Sequence, residues 1–120
     1  MDTIAKLEQN LNHLLYDEKE GFLIKFHFNQ GLDYNKLDEL YTYLEAFKAT
    51  YKSESFVPKN IMFILIGILP ALYMDISLYS NDSEIEQEYL DAIYKLDTAL
   101  QMCLNPDEND PYINTPLRDL

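Results

Sequence analysis

His13 and Asp17 stand four residues apart in a stretch of helical periodicity, so both project from one face and could offer two ligands to a metal ion. A closed metal site needs four ligands, and no third or fourth follows at a useful spacing. His27 lacks the Glu-x-x-His partner of bundle metal sites. Asp107, Asn109 and Asp110 have the oxygen-rich look of a calcium loop. That loop needs Gly at its sixth position and Glu at its twelfth, where this chain has Tyr112 and Arg118. Cys103 is the only cysteine. It falls on an apolar helical stripe, where burial would raise its pKa and quiet it as a nucleophile. There is no Gly-rich phosphate loop, no G-x-S-x-G and no C-x-x-C. The expectation is therefore a non-enzymatic protein without catalytic residues, metal or cofactor.

The remaining chemistry is that of binding. Asp82, Glu84, Glu86, Glu88 and Asp91 are five acids within ten residues, with no base among them. The macrodipole of a helix starting there favours the first two or three. It does not reach Glu88 and Asp91, which their neighbours repel. Asp107, Glu108 and Asp110 form a second acidic group. Ten of 120 residues are tyrosine, a side chain that gives large contact area with a hydrogen-bonding tip and is enriched at interfaces. Tyr43 and Tyr94 fall off the apolar stripes of their helices. Exposed tyrosines beside acids suit a partner rich in Arg and Lys. These ten side chains are the candidate partner-binding set.

The charge of the whole chain points the same way. The formal net charge is −12, and residues 61–120 hold eleven acids against only Lys95 and Arg118. Charge of one sign destabilises the compact state by self-repulsion, so a basic partner would explain its presence. It argues against direct nucleic-acid binding, which needs a basic stripe. The single cysteine permits no internal disulfide and fits a reducing compartment. The N-terminus lacks a basic region followed by an apolar run, so a cytoplasmic location is expected. The longest apolar run, Ile61 to Met74, is shorter than the ~20 residues of a membrane span and is interrupted by Pro70, so no membrane partner is expected.

Helices must position these groups. The chain is 48% hydrophobic, and its three Gly and five Pro leave few turns, which fits one domain of long helices. Residues 3–16 carry Ile4, Leu7, Leu11, Leu14 and Leu15 at helical spacing, capped by Asp2 or Thr3. Residues 19–30 are ambiguous. Phe22, Ile24, Phe26 and Phe28 alternate like a strand. A short helix ending with Gly31 as its left-handed residue, before Asp33 caps the next helix, is favoured. Residues 34–52 bury Leu37, Leu40, Tyr41, Leu44, Phe47 and Tyr51. Pro58 opens a helix running to about Tyr79 that has no polar face, which predicts a central position surrounded by the others, with a kink at Pro70. Ser83 and Glu86 read as a capping box for a last helix running to about Leu104. Residues 1–104 then form the helical domain. Residues 105–120 form a Pro-containing, acidic, extended tail tacked down by Tyr112, Ile113, Leu117 and Leu120. The fold class is all-α, a compact bundle of about five helices with a central apolar helix. The alternative is an α+β domain with a small sheet from 22–28 and 61–79.

Gly31-Leu32-Asp33, then Leu37-Asp38-Glu39-Leu40-Tyr41, then Val57-Pro58-Lys59 opening an apolar helix, and finally Glu86-Gln87-Glu88-Tyr89 give a layout over residues 20–104. It resembles the small acidic helical immunity proteins of bacterial contact-dependent growth inhibition and related polymorphic toxin systems. The resemblance implies a cytoplasmic protein that binds and neutralises a cognate toxin domain, often a basic nuclease. It transfers no interface residues. The competing expectations are an acidic DNA mimic and a helical adaptor or regulatory protein that binds another protein.

Overall fold

The first helix, α1 (Thr3–Tyr16), forms where the periodicity places it and buries Leu11, Leu14 and Leu15. The computed structural model describes residues 3–120, and the expected cap at Asp2 or Thr3 lies outside the described groups. Beyond α1 the chain reverses tightly. The Asp17 carboxylate accepts the amides of Lys19 and Glu20 at 3.3 and 2.8 Å, and the Gly21 amide donates to the Asp17 carbonyl at 3.0 Å. Gly21 is required here because a Cβ would lie 2.6 Å from the Leu15 carbonyl oxygen.

The ambiguous segment is helical. α2 (Phe22–His27) buries Phe22, Leu23 and Phe26, and no strand occurs among the described residues. Its end differs from expectation. Asn29, with φ 61°, is the left-handed residue that stops it, while Gly31 (φ 90°) lies two residues further on. The Asn29 amide donates to Phe26 O and the Gln30 amide to Lys25 O, the paired bonds of a Schellman ending. Asparagine tolerates this backbone region better than other non-glycine residues, so the helix stops before the glycine arrives.

Asp33 caps α3 (Tyr34–Thr50), accepting the amides of Asn35 and Lys36 at 3.1 and 3.2 Å. The buried stripe is Leu37, Leu40, Tyr41, Leu44 and Phe47, as the spacing predicts. α4 (Lys59–Asp75) passes through Pro70 and continues into a 3-10 turn, Ile76–Tyr79. α5 (Ser83–Cys103) is capped by Asp82, which accepts the amides of Glu84 and Ile85. The capping box therefore fails by one residue. Asp82 is the cap, Ser83 is already helical, and the third helical position is Ile85, which cannot reach back.

α4 also departs from expectation. It touches α1, α2 and α5, but only Ile61, Ile64, Leu65, Ile68 and Leu72 are buried, and Phe63, Ile66 and Met74 lie open on the other side. The reason is the shape of the molecule, 44 × 34 × 20 Å. A thickness of 20 Å is about two helix diameters, so no helix can be wrapped on all sides. With the 3-10 turn, Lys59–Tyr79 makes 21 residues long and apolar enough to cross a membrane, with 28% of an 18-residue stretch of it inside the protein.

Residues 105–120 are turns rather than an extended strand of chain. Leu117 is fully buried and starts a 3-10 turn, Leu117–Asp119, that packs on α3 and α5. Its amide donates to Glu45 Oε1 at 2.6 Å, Lys48 Nζ donates to Thr115 O, and Arg118 reaches Asp38 at 2.7 Å and Thr42 at 3.1 Å. Ile113 and Leu120 are partly buried, whereas Tyr112 stays exposed.

Candidate interaction surface

α5 carries the acidic group, and the helical repeat decides how it is displayed. Successive residues turn by ~100°, so Glu86 and Glu88 lie about 200° apart round the axis, with Glu84 and Asp91 together on the outward side. The structure follows this division. Glu88 turns toward α3 and accepts the Tyr34 hydroxyl at 2.7 Å. Glu86 is half-buried on the opposite flank. Glu84 and Asp91 are exposed, Asp91 accepting only the Gln87 amide of its own helix at 2.8 Å. Asp82 is used as the cap. Among the described residues, none of these five acids forms an ion pair.

The second acidic group is engaged locally. Asp107 accepts the Asn109 amide, and Asp110 accepts the Tyr112 amide and the Asn105 side chain. These carboxylates hold the turns of residues 105–112, which explains the calcium-like spacing without a cation. Glu108 is exposed at the rim of a cavity of about 220 Å³ lined also by Lys48, Tyr51, Met102 and Cys103. Cys103 Sγ donates to Leu100 O, and burial pushes its thiol up to about 12. Asp17 does come within 3.8 Å of His13, but no group of three or more potential metal ligands forms among the described residues.

No family model matches the chain, and no curated protein or solved structure matches it.

The tyrosines have two uses. Tyr79 donates to Phe26 O at 2.8 Å and accepts from the Gly31 amide at 3.0 Å. Its ring stacks on Phe26 at 4.7 Å and meets Tyr89 edge-on at 5.0 Å. Tyr34 completes this cluster, 6.5 Å from Tyr89, and the Tyr89 hydroxyl would sit 3.0 Å from a Cβ at Gly31. Tyr79, Tyr89 and Tyr34 thus fasten the α2–α3 link to the start of α5. Tyr43 is half-buried against the core, while Tyr94 is 52% exposed and lies 6.2 Å from Tyr73 of α4.

Sequence reasoning missed Tyr34, which holds Glu88, and it missed the open side of α4. The signal for the second was present. Phe63, Ile66, Pro70, Tyr73 and Met74 repeat with helical spacing opposite the buried stripe. A helix with two apolar faces reads like one buried on all sides.

Proposed function

We propose that this chain is a non-enzymatic inhibitor of the immunity type, which binds a basic toxin domain in the bacterial cytoplasm and neutralises it by occlusion. A nuclease domain fits best, because a protein that grips phosphates is basic and would be drawn to a chain of net charge −12. The observation that carries the reading is the uncompensated acid of the second half: Glu84 and Asp91 face outward without an ion pair, beside the exposed Tyr94. The resemblance to acidic helical immunity proteins supports it independently.

The test is a tagged pull-down from the native cell at low and high salt, with the retained proteins identified by mass spectrometry. One dominant basic protein with a toxin domain, held near one to one, is the expected result. Association should slow steeply as salt rises, and Glu84→Lys with Asp91→Lys should weaken binding by about tenfold or more. A neutral partner with no salt dependence would replace this reading with that of an adaptor. Displacement of the partner by duplex DNA of any sequence would replace it with mimicry.

A further inference from the structure

We propose that the open face of α4 is the surface that receives the partner, and that its occupant is an amphipathic helix with an apolar stripe and basic flanks. This rests on the reading of the partner as a basic protein. Phe63, Ile66 and Met74 are 78%, 64% and 77% exposed, and with Pro70 and Tyr73 they line one side of α4. Scattered exposed apolar residues are ordinary in soluble proteins, but a contiguous row marks an interaction site. The row widens onto α5 and α1. On α5, Tyr94 lies beside Tyr73. On α1, the Tyr16 hydroxyl lies 3.6 Å from where a Cβ of Gly67 would be. From Asn60 to Met74 the helix carries no charged residue.

The charge around this row selects the occupant. Glu8 of α1 holds Asn60 at 2.6 Å on one edge, and Asp97 of α5 lies against Tyr73 on the other. Asp75 closes the far end beside His27, Lys59 stands at the near end, and Lys95 follows Tyr94 on α5. A second copy placed across this face would bring acidic edges together. An anionic membrane surface would meet the same repulsion. An apolar helix with Lys or Arg on its flanks satisfies the centre and both edges. The stripe from Phe63 to Met74 spans about 16 Å, room for some three turns of such a helix.

The probe is a synthetic peptide of about 18 residues with Leu on one helical face, Lys on its flanks and one Trp. The protein has no Trp, so the fluorescence reports the peptide alone. Controls carry Glu in place of Lys, or the same residues in scrambled order. Saturable binding of the Lys peptide at least about tenfold tighter than either control is expected, with amide chemical-shift changes centred on α4. Phe63→Ser with Ile66→Ser and Met74→Ser should weaken it about tenfold or more, with the helical circular dichroism unchanged. If that triple variant does not fold, Phe63→Ser alone serves, being the most exposed of the three. Equal binding of the Lys and Glu peptides, or shifts centred elsewhere, would overturn the proposal. So would dimerisation of the free protein, or flotation with neutral phosphatidylcholine vesicles, if the triple variant abolished it. A triple variant that retains the basic partner of the pull-down at full affinity overturns the α4 surface and leaves the functional reading standing. Selective peptide binding with no basic protein ever captured leaves the surface standing and removes that reading.

Discussion

The hydroxyl of Tyr41 is sealed in the core with no hydrogen-bond partner among the described residues, and burial pushes its pKa up to about 12. A buried donor left unmade costs roughly 1–3 kcal/mol. Tyr41→Phe should therefore raise stability, by about 1 kcal/mol in urea denaturation. Asp33 is the opposite case, because every oxygen is engaged. It accepts two amides at the start of α3 and pairs with Lys25 at 3.0 Å. Desolvation pushes its carboxyl up, but the bonds from Lys25 and the Lys36 amide outweigh it and leave the pKa below the usual 3.8. A depressed acid contributes its stability above the unfolded pKa and loses it as pH falls through the folded one. Asp33→Ala should then cost about 1–2 kcal/mol at neutral pH, and the gap from the parent chain should narrow in melts below pH 3.8.

Among the elements, the segment 105–120 contributes more to the body than its composition implied. Leu117 fills a place between α3 and α5, and the chain's only arginine, Arg118, clamps α3. Leu117→Ala should cost about 2–5 kcal/mol, read as a lower urea midpoint. Three Pro and several acids within fifteen residues spoke for an extended tail. Leu117 and Leu120 do tack it onto the body as their apolarity suggested, but the chain gets there through turns, and the polar clamp on α3 shows only in long-range contacts. The helices themselves were legible, since α1, α3 and α5 repeat their apolar residues at 3.6-residue spacing and Asp33 stands where a cap belongs. Ends were less legible. Asn29 and Asp82 each did a job assigned to a neighbour, because local hydrogen bonds decide a cap within one residue and periodicity does not. The open face of α4 was visible in the spacing of Phe63, Ile66, Pro70, Tyr73 and Met74, but was misread as buried for a different reason. Apolarity marks what would be better covered, and a flat body of two layers leaves part of that uncovered. Of the expected surface, Glu84, Asp91 and Tyr94 are displayed outward, while Glu88, Asp107 and Asp110 are held in internal hydrogen bonds.

At the scale of the whole molecule, a charge of −12 on a body 20 Å thick cannot be diluted by depth. The five ion pairs found among the described residues leave most acids uncompensated, two of them resting on histidine. Added salt should therefore raise the melting temperature at neutral pH, because it screens repulsion more than it weakens attraction. Differential scanning calorimetry over a range of sodium chloride concentrations checks this, and a falling melting temperature would show that the few pairs matter more. The tyrosines act at the alkaline end. Tyr34, Tyr41, Tyr73 and Tyr79 all have pKa values raised above 10.0, chiefly by desolvation. Unfolding above that pH frees these phenols to ionise, so the folded chain is a proton reservoir that empties when it opens. Its stability should decline as pH rises past 10.0, with phenolate absorbance appearing together with the loss of helix. A base titration would thus report without any label the opening of the joint held by Tyr34 and Tyr79 together with the core round Tyr41.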